Sequence, residues 1–158
     1  MNLKRFNMDV AYEISRWFPT PKEASLWGGV RFGWPIQVSK IIARSELPNI
    51  EFYTLVEGCE VLGFIELQKI NKTEIRLCRV AVSPRYRGRG LGKKLIRLSL
   101  DEIKQRNSYK TVTLAVFTEN IVAYNCYQYL GFVEVDKEPK FKVFNGEKWP
   151  LVQMEIAL

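Results

Sequence analysis

"VAVSPRYRGRGLGKKL" (residues 80–95) passes from an apolar stretch through a Ser-Pro stop into alternating Gly and Arg, then into a helical pattern. It closes the strand-like run "EIRLCRVAV" (74–82), which Ser83-Pro84 ends because proline has no N–H to give a ladder. Beyond Gly90, Leu91, Leu95, Ile96, Leu98, Leu100 and Ile103 cover a broad arc, and Lys93, Lys94, Arg97, Asp101 and Lys104 hold the remaining strip. The glycines therefore stand between a strand and the first turn of a buried helix. A helix N-terminus offers unpaired N–H groups and a positive dipole end, which suits a phosphate. Gly88, Gly90 and Gly92 remove side chains that would keep a ligand off the backbone, and Arg87 and Arg89 add charged donors. Arg85, Lys93 and Lys94 are further phosphate candidates; a solvated basic face is the other reading of this cluster. The order of residues is neither GxxxxGK[ST] nor GxGxxG.

Outward from that stretch, strand and helix patterns alternate. "LKRF" (3–6) is short and extended, and residues 9–18 and 36–46 read as helices. "EFYTLVE" (51–57) and "VLGFIELQKI" (61–70) read as strands joined by a turn at Gly58. "KTVTLAVF" (110–117) is a strand; Asn120 then stands at an N-cap position and Gly131 at the C′ position of the following helix. "FVEVD" (132–136) and "WPLVQMEIAL" (149–158) are the last strands, separated by a loop or small hairpin with an Asn-Gly turn.

The chain has 158 residues and no linkers or repeats, so a single domain is expected over 1–158. No apolar run reaches the length of a membrane span, and "MNLKRFNMDV" has no secretory h-region, so a cytoplasmic location is expected. Cys59, Cys78 and Cys126 are widely spaced and read as reduced thiols. The absence of histidine excludes Ser-His and Cys-His nucleophilic sites and the His-containing zinc sites, and no metal is expected. The net charge of +7 permits a nucleic-acid partner, but the basic residues gather at a glycine-rich helix start and no nucleic-acid-binding motif accompanies them.

The stretch 80–95 resembles the acetyl-CoA signature of the GNAT superfamily of N-acetyltransferases, [RQ]-x-x-G-x-[GA], through Arg87, Gly90 and Gly92. "NIVAYNCYQYLGF" (120–132) is similar to a second segment of that family through Asn120, Ala123, Tyr127, Gly131 and Phe132, and the order of elements also agrees. The resemblance implies an α+β fold: a central, mostly antiparallel sheet of six or seven strands with helices on both faces. It implies acetyl transfer from acetyl-CoA to a primary amine by direct attack in a ternary complex. Residues 74–132 would form the acetyl-CoA-binding core and 1–50 the acceptor side. Arg87, Gly88, Arg89, Gly90, Leu91, Gly92 and Lys93 would hold the pyrophosphate, and the backbone of Val80, Ala81 and Val82 the pantetheine arm. Asn120 would meet the cofactor. Tyr127 would lie near the CoA sulfur and protonate the departing thiolate. For a general base the resemblance leaves open a water chain or a carboxylate, Glu66, Glu74 or Glu119, with Glu66 preferred. A small-molecule or peptide amine is the implied acceptor, and the basic surface disfavours polycations. A catalytically silent acyl-CoA-binding domain and a basic nucleic-acid-binding module are the alternatives. Either a monomer or a homodimer is compatible with the C-terminal strand.

Overall fold

The computed structural model describes residues 1–136 and 138–158. In chain order it contains β1 (Asn2–Arg5), α1 (Ala11–Ser15), α2 (Pro21–Gly28), α3 (Val38–Ser45), β2 (Ile50–Glu57), β3 (Glu60–Lys69), β4 (Glu74–Val82), α4 (Leu91–Gln105), β5 (Thr111–Phe117), α5 (Ile121–Tyr129), β6 (Val133–Glu134), β7 (Lys140–Phe144) and β8 (Glu147–Ala157). The strands form one eight-stranded sheet ordered β1-β2-β3-β4-β5-β8-β6, with β7 also paired to β8. Every pairing is antiparallel except β4 with β5.

The expected hairpin with its Asn145-Gly146 turn forms, as β7 paired to β8, and with it the sheet reaches eight strands where six or seven were expected. Both turn residues have positive φ (49° and 74°), as a tight two-residue hairpin requires. The N-terminal region also holds a helix, α2, outside the expected helical segments 9–18 and 36–46. Thr20 caps it by accepting from the Glu23 N–H, and Pro21 supplies a preset φ at its first position.

Period-2 alternation splits the sheet's side chains between two cores. On one face Leu55, Ile65, Leu67, Ile75 and Leu77 meet Leu95, Ile96 and Ile103 of α4, with Tyr127 and Phe132 beside them. On the other, Phe52 and Phe64 meet Ile14, Trp27, Phe32 and Ile41 from the segment carrying α1 to α3. The N-terminal aromatics are thus largely core: Phe18 stacks on Trp27 at 4.2 Å between ring centroids, and Trp27 contacts Phe32 and Phe64. Gly28 permits this packing, since a Cβ there would come within 2.6 Å of the Phe32 ring.

Candidate active site

The single parallel pairing positions the site. β4 and β5 are in register only over Glu74–Arg76 and Thr111–Thr113. Beyond that β4 stays with β3 as far as Val82, while β5 stays with β8 as far as Phe117. The two strands part, and a cleft of about 580 Å³ opens between them. Val80, Ala81, Val82 and Arg87 line one side of it, and Asn120 and Tyr127 line the other.

A bulge shapes the β4 wall. Glu66 pairs with Cys78 and Phe64 with Ala81, so two residues of β4 oppose one of β3. Arg79 takes the strained position at φ 50°. The alternation inverts across it: Ile75 and Leu77 face the α4 core before the bulge, and Val80 and Val82 pack against that core after it. Contacts hold the bulge in place. The Trp27 indole N–H donates to the Arg79 carbonyl at 3.0 Å, and the Arg79 guanidinium donates to Glu66 Oε2 at 2.9 Å.

At the mouth, α4 starts at Gly90, which has φ 73° and offers no side-chain cap. Its first intrahelical bond runs from the Lys94 N–H to the Gly90 carbonyl, so the amides of Leu91, Gly92 and Lys93 face outward without a helical partner. Gly88 also has positive φ, 77°. Gly92 differs, because it is helical and a Cβ there would meet only Val82 Cγ2, at 3.9 Å. Nothing in the chain's own packing calls for glycine at that position.

Tyr127, on α5, is buried against Phe132 with ring centroids 6.0 Å apart, and it lines the cleft. Burial, with the neighbouring Cys126 adding to it, pushes its phenol up to about 12. It therefore holds its proton at neutral pH. Asn120 caps α5 by accepting from the Ala123 N–H at 3.2 Å while also lining the cleft.

The side chains of the remaining expected residues lie elsewhere. The Arg89 guanidinium lies over the Tyr86 ring, and Arg89 and Leu91 border a separate hollow beside Leu62. Lys93 is engaged with Tyr129, its Nζ 3.5 Å from the ring centroid. Glu74 accepts from Thr113 at the closed end of the β4–β5 pair, and Glu119 is exposed outside the cleft. Glu66 is fully buried. Arg44 clasps it through both carboxylate oxygens, at 2.7 and 2.9 Å, and Arg79 adds a third contact. Glu66 is thus neither solvent-facing nor among the cleft-lining groups. Sequence reasoning missed a set of cations, Arg31, Arg44, Arg76, Arg79 and Lys142, which line the cleft from the segment after α2 to β7. Cys78 also lines it; burial first, then Glu66, pushes its thiol up and so favours the neutral, less nucleophilic form.

Residues 11–132 match the Acetyltransferase (GNAT) family. The chain belongs to that family. Over 89 residues, 54% of each chain, it is 35% identical to the spermine/spermidine N(1)-acetyltransferase of Bacillus subtilis. Over 119 residues, 75% of this chain and 40% of the relative, it is 28% identical to mycothiol acetyltransferase of Corynebacterium glutamicum. The chain thus spans about half the length of the curated relatives it matches. The spermidine N-acetyltransferase of Vibrio cholerae, solved with CoA and spermine, superposes with a TM-score of 0.81 at 20% identity, covering 99% of this chain and 94% of that one. The ribosomal-protein-S18-alanine N-acetyltransferase of Escherichia coli does so with 0.75 at 20% identity, covering 99% and 92%. Among the described residues no helix is long and apolar enough to cross a membrane.

Proposed function

We propose that this chain transfers an acetyl group from acetyl-CoA to a small primary amine by direct attack. The observation that carries the reading is the parting of β4 from β5 beside an uncapped, glycine-lined helix start, with Tyr127 facing the gap. The residues fit the co-substrate: Gly92 leaves open a space that the protein's own packing would let a methyl fill, next to unpartnered amides. Acetyl-CoA supplies the acyl group as an activated thioester. The first-turn amides of α4, the Gly88–Gly90 backbone and Arg87 receive its pyrophosphate. The β4 edge from Val80 to Val82, released from β5, offers main-chain hydrogen bonds to an extended arm and an N–H for the developing oxyanion. Tyr127 keeps its proton for the departing thiolate. Asn120 orients the start of α5 and, with it, Tyr127.

Glu66 acts as a positioning residue, since both of its oxygens are held by guanidinium groups and it fixes the bulge. The relatives named for spermine and spermidine support a small amine as acceptor. The three unpaired thiols, one of them exposed, suit a reducing compartment such as the cytoplasm.

Calorimetric titration of acetyl-CoA into the wild type, Gly90→Glu and Tyr127→Phe tests the reading. Wild type and Tyr127→Phe bind, and Gly90→Glu does not, because the new carboxylate occupies the anion cradle. Absence of wild-type binding overturns it.

A further inference from the structure

We infer that the acceptor amine carries its own anionic group, a carboxylate or a phosphate, bound by the cations of the cleft; this rests on the acetyl-transfer reading above. Among the described residues, six cationic side chains and one carboxylate, Glu23, line the cleft. Of these, Arg87 belongs to the glycine-loop end; the other five extend from the segment after α2 through α3 and β4 to β7. Buried Glu66 answers Arg44 and Arg79 together, one carboxylate against two guanidinium groups. Arg31, Arg76 and Lys142 form no ion pair among the described residues.

Two of these groups show the imbalance directly. Lys142 is half-buried and its ammonium donates to a neutral acceptor, the Leu26 carbonyl, at 3.2 Å. Arg79 Nε is buried without an acceptor among the described residues. Positive charge held in a part-buried cleft with too few carboxylates is costly, and an arriving anion offsets that charge. The same positive field opposes a polyamine, which brings two or more charges of the same sign. Trp27 and Phe18 line this half of the cleft and offer an apolar wall to the chain between the amine and its anion.

The cations also serve the chemistry. A positive surrounding favours the uncharged form of the attacking amine, which is the nucleophilic one. In the balanced step the C–N bond forms and the thioester C–S bond breaks. One proton leaves the amine nitrogen for solvent, and one passes from Tyr127 to the CoA sulfur, Tyr127 recovering its own from solvent. No separate carboxylate base is required.

The experiment uses the full chain, saturating acetyl-CoA and four matched amine series: ω-aminoalkyl carboxylates, their amides, aminoalkyl phosphates, and spermidine with spermine. Thiol release and product mass are read. The expected result is a kcat/KM for one of the anionic series at least about tenfold above the amides, with the polyamines below the amides. The carboxylate and phosphate arms tell the two sources apart. Arg31→Gln and Lys142→Gln should lower the preference through KM, with acetyl-CoA affinity unchanged. Turnover of amides or polyamines at or above the anionic amines overturns the inference and leaves acetyl transfer standing. Failure to acetylate any amine overturns both.

Discussion

Gly92→Ala separates a ligand-driven glycine from a structural one. The residue is helical, in the first turn of α4, where glycine is less favourable than alanine. An added Cβ would have only Val82 Cγ2 near it, at 3.9 Å, an ordinary contact. With room for the methyl and a compatible backbone, the substitution should stabilise the fold by about 0.5–1 kcal/mol. For a chain of this size that corresponds to a rise in Tm of roughly 1–4 °C. Cβ atoms of a helix tilt toward its N-terminus, so the methyl points into the space where a phosphate would approach the amides. Losing one charge-assisted hydrogen bond there should weaken acetyl-CoA binding by about tenfold or more. Thermal unfolding without ligand and calorimetric titration with acetyl-CoA read the two effects on one preparation. Opposite signs are the expected result. A lowered Tm would show that the helix start needs glycine for itself. A raised Tm with unchanged affinity would show that no ligand approaches Gly92, and the cradle would be refuted.

Tyr127→Phe should keep acetyl-CoA affinity and lose about a hundredfold in kcat, the loss expected for one proton donor; wild-type kcat in a rate assay refutes the role. Because burial first, then Cys126, pushes this phenol up to about 12, it stays protonated through pH 10, and the kcat–pH profile should show no alkaline fall from this group below that. Glu66→Gln leaves two guanidinium groups with a neutral partner, and should cost several kcal/mol in chemical denaturation; a large kcat loss at unchanged stability would instead mark a base. Burial would raise Glu51, but hydrogen bonds from Arg106 and Lys69 outweigh it and hold its carboxyl down to about 2. Its stabilisation is complete above pH 4.5 and fades as pH falls toward 2, so Glu51→Gln should lower stability at pH 7 and flatten the acid limb of the stability curve. An acid limb as steep as the wild type's counts against this pairing.

What the sequence made legible is local in origin. The glycine-rich helix start, the Asn120 cap, the Gly58 turn and the long strands each follow from neighbours within a few residues. The Thr20-Pro21 helix start was equally local, but α2 spans eight residues amid aromatics, too short for periodicity to stand out. The cationic half of the site was hidden for a different reason. Arg44, Arg79 and Lys142 come from a helix, a bulge and a hairpin, and only the fold brings them together. One sign was present in "RLCRVAV": Arg76 and Arg79 lie three apart, which breaks a period of two and marks the extra residue of the bulge.

The same residues explain why the cleft keeps its shape. A non-glycine residue at positive φ costs on the order of 1–3 kcal/mol, and Arg79 accepts that strain in the wall of the site. Removing the bulge would carry the first alternation through to Val82, exchanging the faces of Val80, Ala81 and Val82. Ala81 would then leave the α1–α3 core, and both valines would turn into it. The chain resists this by gripping Arg79 at both ends, with the Trp27 indole on its carbonyl and Glu66 on its guanidinium. Arg44 holds Glu66 from α3, so the N-terminal helices and the β4 edge of the cleft are fixed by one buried network. On the proposed acetyl-transfer reading, a carboxylate committed in this way positions its neighbours rather than moving protons. On that reading its value lies in holding the parted β4 edge, and the Arg79 charge beside it, in one arrangement while both substrates bind.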